Sequence, residues 1–249
     1  MDVDLLTKTL SEYSPTVNST SDLIVSSVRP IALVLIGIFF LIEMDSWFKY
    51  MKQEGGGLTQ ELWLDIAFKY VLAFMLVMMS SQIFDSMVEL VNLILKTINH
   101  VIPNKEMSTV VDASKVKGVI AKNFFWIVGS IVEFLSKISV KLIMMMRYLE
   151  MYLLKAVGPL IVAFFMSDAT RSIAINILKF FGAAAFQAVI IFIIVRLYPA
   201  MLSDDLLKVK MSEGFASWAT ALSSIAKGII FIFLVFSSQK KAKSLIGAM

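Results

Sequence analysis

Apolar residues fall along this chain in long blocks with short polar breaks between them, and the block lengths predict membrane-spanning helices. The first block, residues 28–44 (VRPIALVLIGIFFLIEM), carries Pro30 in its expected first turn, where a missing N–H is tolerated. The second covers about residues 66–83 and can continue as an amphipathic helix through MVELVNLILKTINHVI until Pro103 stops it. A third starts near Val119 and reaches Met146, longer than the ~20 residues a bilayer needs. Residues 173–200 and 215–236 form two more. Ahead of them all, Val3, Leu6, Leu10 and Tyr13 recur at helical spacing, which predicts a short amphipathic helix ending before Pro15.

One block does not fit the series. In YLEMYLLKAVGPLIVAFFM, residues 148–166, a Gly158-Pro159 pair interrupts the apolar run, and Asp168 and Arg171 follow it closely. Proline removes a backbone donor and clashes with the preceding turn, and backbone groups freed inside a bilayer must be covered by protein or water. The segment therefore reads as a re-entrant or interfacial hairpin, or as a kinked sixth span. The expected fold is all-α: a polytopic helical membrane protein with about five transmembrane helices plus this re-entrant or kinked segment. Residues 1–27 form an N-terminal tail, 28–236 the transmembrane domain and 237–249 a basic tail.

Composition supports that class. The chain is 58% hydrophobic and 17% charged, whereas a soluble domain is about half apolar and about a quarter charged. Charge placement then orients it. The head carries Asp2, Asp4, Glu12 and Asp22 against Lys8, and the tail carries Lys240, Lys241 and Lys243. Lysine-rich ends stay in the cytoplasm, so the N-terminus is expected outside and the C-terminus inside, which requires an odd number of crossings. Lys137, Lys141, Arg147, Lys155 and Arg171 bracket the broken segment, placing both its ends on the cytoplasmic side. The start, MDVDLLTKTLSEY, lacks the basic and apolar pattern of a signal peptide.

The sequence offers little to catalysis. There are no cysteines and one histidine, His100, expected to be solvated or interfacial. No metal-site spacing appears. The Gly55–Gly57 run lacks the Lys-Ser/Thr of a phosphate loop and reads as flexible punctuation. The chain is expected to be no enzyme and to need no cofactor or metal. Charge inside the blocks says more. Glu133 lies near the centre of the third and Lys227 near the centre of the last, where charges are costly and pair or face water. Lys137 can pair with Glu133 one turn away, and Lys227 is the candidate partner from another helix. Ser130, Glu133, Lys137 and Lys141 share one face, either a structural seam or a conduit lining. Asn176, Lys179, Ala183 and Gln187 share another, beside the small residues 182–185, and Ser217, Ala221, Ser224 and Gly228 a third. Small residues let helices approach closely in lipid.

The stretch 145–200 resembles the core of TrbL-type proteins, the polytopic inner-membrane subunits of conjugation and type IV secretion machines. Tyr152, Pro159, Asn176, Lys179, Gln187 and Tyr198 stand at the positions of that family's pattern. Gly158 stands where the family commonly has Ala, and the polar break is shorter and lacks an aromatic. The resemblance implies a channel or platform subunit of the bacterial cytoplasmic membrane, assembled as a homo-oligomeric ring, possibly a pentamer. It implies contact with translocating single-stranded DNA or protein, a seat for the pilus or stalk component, and energy from partner ATPases. A secondary transporter or permease, or an export-gate subunit of another secretion system, is the competing class.

Overall fold

In the computed structural model, residues 5–53, 59–101, 119–203 and 216–248 are described. Those residues are helical, with no strand among them. The helices are α1 (Leu10–Tyr13), α2 (Pro15–Gln53), α3 (Gln60–Met78), α4 (Ser80–Val101), α5 (Val119–Ala156), α6 (Gly158–Phe165), α7 (Asp168–Ser203) and α8 (Ala216–Ile246). The Gly55–Gly57 run and the 103–118 loop lie outside the described residues.

Among the described residues, three helical stretches are long and apolar enough to cross a membrane: Pro15–Gln53, Asp168–Tyr198 and Trp218–Ile246. A fourth is added if the bent pair Trp63–Met78 and Ser80–Val101 counts as one span. The expected count of about five is not confirmed among the described residues. α5 forms as a helix but is not one of those candidates; it carries Lys122, Glu133, Lys137, Lys141, Arg147 and Lys155 along its length.

Several boundaries also shift. The short first helix ends before Pro15 as expected, opened by a capping box in which Thr9 and Glu12 bond each other's backbone N–H. Residues 15–27 are no loose tail but the first turns of α2, with Ser14 Oγ accepting from Val17 N–H at 3.4 Å. Pro30 consequently sits in the helix interior rather than the first turn. The second block does not run straight into its amphipathic extension. α3 and α4 meet at a 67° bend at Met79, next to the Ser80-Ser81 pair, a sequence type that commonly marks sharp kinks. The lysine tail is helical to Ile246, where Gly247 takes a left-handed φ of 67° and Ala248 N–H returns to Lys243 O at 2.9 Å, a glycine-closed helix end.

The chain forms two compact units. One comprises residues 8–90, 148–185 and 243–249. Its core joins Ala32 and Ile36 of α2, Ile66, Tyr70, Ala73 and Val77 of α3, and Ala163 of α6 with Met166 beyond it. The eight-residue α6 lies against α2 and α3, with Phe164 beside Phe39 at 6.4 Å between ring centres. α7 then turns back until Phe181 meets Phe84 edge-on at 4.6 Å. Gly158, at the start of α6, abuts the same Phe84 ring. Residues 158–181 thus form a helical hairpin that enters and leaves beside Phe84.

Between Asp22 and Glu43, 21 positions apart on α2, the helix advances about 31 Å, close to the ~30 Å of a hydrocarbon core. Leu23, Ile31, Val34 and Leu41 of that stretch are exposed, as are Phe68, Val71 and Met75 of α3. Half-buried Arg29 is the one charged residue between the two ends. An apolar belt of bilayer thickness therefore runs between two polar rims.

The two ends of the segment 148–166 meet different stretches of α2. Lys155 is held by Asp22, whereas Phe164 lies beside Phe39 and Arg171 is close enough to Glu43 to act on its charge. α6 thus follows α2 along the belt, and this packing belongs equally to the two expected arrangements, a re-entrant hairpin or a kinked run. Residues from near the two ends of the chain also meet α5. Tyr148 Oη donates to Lys8 O at 2.7 Å, and Glu150 pairs with Lys243 at 3.0 Å. Residues near both ends of the chain pack on the same turns of α5.

The second unit takes residues 91–147 of α4 and α5 and residues 186–242 of α7 and α8, with the residues up to Thr7. Phe125 meets Trp218 edge-on at 5.2 Å, and Tyr198 packs on Phe231 at 4.8 Å. A methyl at Gly228 would stand 2.4 Å from Val132 Cγ1, so the absence of a side chain there sets how closely α8 approaches α5.

Candidate functional site

The first unit's rim at Asp22 is built on two helix breaks. Lys155 lies two residues before the α5–α6 break at Val157, and Ser81 and Asp85 open α4 just after the break at Met79. α2 contributes Asn18 and Asp22, one turn apart. The Lys155 side chain is fully buried, while the Asp22 and Asp85 side chains are 42% and 41% exposed. Its ammonium donates to Asp85 Oδ1 at 2.9 Å, Asp85 Oδ2 at 3.0 Å and Asn18 Oδ1 at 3.0 Å. Asp22 Oδ1 lies 3.0 Å away and accepts from Ser81 Oγ at 3.0 Å. Asp22 Oδ2 accepts from Asn18 Nδ2 at 3.0 Å. The three donors of the ammonium are thus matched by acceptors from two other helices.

Aromatic rings wall the site. Tyr13 stacks on Tyr148 at 3.7 Å, and buried Tyr152 donates to the Leu10 carbonyl. Asp22 and Glu89 lie close enough to Asp85 to add negative charge beside it.

A second polar group closes the other rim. Glu43 accepts from Lys69 Nζ at 2.7 Å and Tyr70 Oη at 2.6 Å. Arg171 pairs with Asp168 at 2.9 Å. The charges after the broken segment therefore sit where the hairpin turns at the rim.

The residues singled out in the sequence are divided between the two units. Tyr152, Gly158, Pro159, Asn176 and Lys179 belong to the first unit, Gln187 and Tyr198 to the second. Pro159 occupies the first turn of α6, where its missing N–H costs least. Asn176 is exposed, and Lys179 Nζ lies near Gly247 at the end of α8. Gln187 is buried and donates to Ser238 Oγ at 3.1 Å. Glu133 takes the local partner, Lys137, at 2.6 Å. Its neighbour Val132 faces Gly228, so α5 and α8 meet at the level of Glu133 and Lys227. His100 is exposed.

Asp85 was not among the sequence candidates, and Asp22 and Lys155 entered only as topology markers. A spacing signal existed. Asn18 with Asp22 and Ser81 with Asp85 are polar pairs four apart, and Tyr148, Tyr152 and Lys155 share one helix face.

Among the described residues, no group of three or more His, Asp or Glu side chains is placed to hold a metal ion. Comparison with protein families, characterised proteins and solved structures finds no match.

Proposed function

We propose that this chain is a non-catalytic, multi-pass subunit of the cytoplasmic membrane, acting as platform or conduit in a type IV secretion machine of the TrbL type. The reading rests on the 145–200 resemblance. Its support in the fold is that Tyr152, Gly158, Gln187 and Tyr198 are all buried at helix contacts, as a packing motif requires. The belt between the rims is the membrane-embedded part in this reading, and copies of the chain form the ring. Deleting the gene should abolish transfer of DNA or protein, and native extraction should yield a large homo-oligomer carrying secretion ATPases. Normal transfer without the chain, or a monomer free of such partners, would count against it.

The buried lysine between two carboxylates at paired helix breaks favours a second reading, an ion-coupled transporter, because broken helices and buried charges mark such sites. Saturable solute uptake by reconstituted monomers would select it.

With both chain ends on the same turns of α5, the reading places them on one membrane face and uses an even number of crossings. The natural absence of cysteine makes this testable with Ser11→Cys and Ser244→Cys, both exposed positions. An impermeant thiol reagent applied to one face should label both or neither; labelling of one alone would restore the opposite-face arrangement.

A further inference from the structure

We propose that Asp22, Asp85 and Lys155 form a proton-binding site, in which the two carboxylates share one ammonium and take up one proton from solvent. The geometry sets the charge. One buried ammonium faces two carboxylates at 2.9–3.0 Å, so the cluster carries a net negative charge when both are ionised. Excess like charge in a partly desolvated site favours protonation of one carboxylate. Both carboxylates are two-fifths exposed while the lysine is fully buried, so a proton has a path to them from outside.

The other groups facing the cluster sharpen the case. Glu89 of α4 adds negative charge. Tyr13, Tyr148 and Tyr152 supply phenols, which stay neutral at these pH values. Glu150, further back on α5, is already paired with Lys243. Ser80, at the break itself, is fully buried and its hydroxyl has no hydrogen-bond partner among the described residues. One O–H bond forms, its proton released by solvent hydronium, and no other covalent bond changes; the cluster of two carboxylates and one ammonium becomes neutral. Its occupancy thereby sets the charge where the α3–α4 and α5–α6 breaks meet.

The test is a pH titration of the purified full chain in detergent, followed by the infrared C=O stretch of protonated carboxylic acids. Parent protein should show a component with a midpoint above that of a solvated aspartate. Asp22→Asn and Asp85→Asn should each remove that component. Either substitution leaves one carboxylate for one lysine, which removes the excess negative charge that favours protonation. Because aspartate and asparagine are nearly isosteric, both variants should keep the fold, which circular dichroism and size-exclusion chromatography verify. Should either variant misfold, Lys155→Arg supplies the readout: it keeps the positive charge, and the raised component should persist. An unchanged titration in both asparagine variants, or a parent midpoint at or below the solvated value, would overturn the proposal, as would loss of the component in a folded Lys155→Arg.

Discussion

Replacing Lys155 by Met should be the most damaging single change in the first unit. The ammonium is fully buried and bridges α2, α4 and α5. Removing it leaves Asp22 and Asp85 facing each other without a counter-charge and strands Asn18 Oδ1. Breaking a buried ion pair from one side costs about 3–5 kcal/mol. The carboxylates are partly exposed, so the lower end, about 3 kcal/mol, is expected here. The measurement is unfolding of the detergent-solubilised protein followed by tryptophan fluorescence. Adding Asp22→Asn and Asp85→Asn to Lys155→Met should recover a large part of the loss, because the stranded charges go with the lysine. A single variant within about 0.5 kcal/mol of the parent would show that the cluster contributes little.

The second large effect is expected at Gly158. A methyl group there would lie 2.6 Å from Phe84 Cε2. That ring cannot simply swing away, since it is almost fully buried and meets Phe181. Overpacking of this kind costs about 1–3 kcal/mol, so Gly158→Ala should destabilise the protein and Phe84→Leu should partly suppress the damage. Gly37 supplies the control. Nothing lies within 4 Å of a methyl added there, and in a helix interior Ala is favoured over Gly by about 0.5–1 kcal/mol. Gly37→Ala should therefore be neutral or stabilising. Equal behaviour of the two alanine variants would mean that the packing at Phe84 is not what requires glycine.

The helices were legible in the sequence because they rest on local signals. Thr9, Glu12 and Pro15 mark the first boundary, and Gly158-Pro159 marks the α5–α6 break. Where pairing between distant residues decides, the sequence was silent. The bend at Met79 lies inside an unbroken apolar run, with only Ser80-Ser81 to suggest it. Lys155 looked like a charge at a membrane boundary, since nothing local distinguishes a lysine bound for the interface from one that meets Asp85 across 70 positions. The chain ends illustrate the same limit. Charge bias was the only signal for where they lie, and it says nothing of the Tyr148–Lys8 and Glu150–Lys243 contacts. Glu133 was the reverse case: its partner one turn away was readable from spacing, and the structure has that pair.

The brevity of α6 bears on biogenesis. Eight residues give about 12 Å of helix, too little to span a bilayer and too little apolar length to be handed to lipid as an independent segment. α2, by contrast, can insert as soon as it leaves the ribosome. α6 must wait for a surface already standing in the membrane, which α2 and α3 provide through Ala32, Ile36, Ala73 and Val77. Its entry is expected to be a late, lateral docking step that follows the insertion of α2 and α3. Substitutions along that surface should therefore act first on the yield of inserted chain, before any effect on the finished protein is felt.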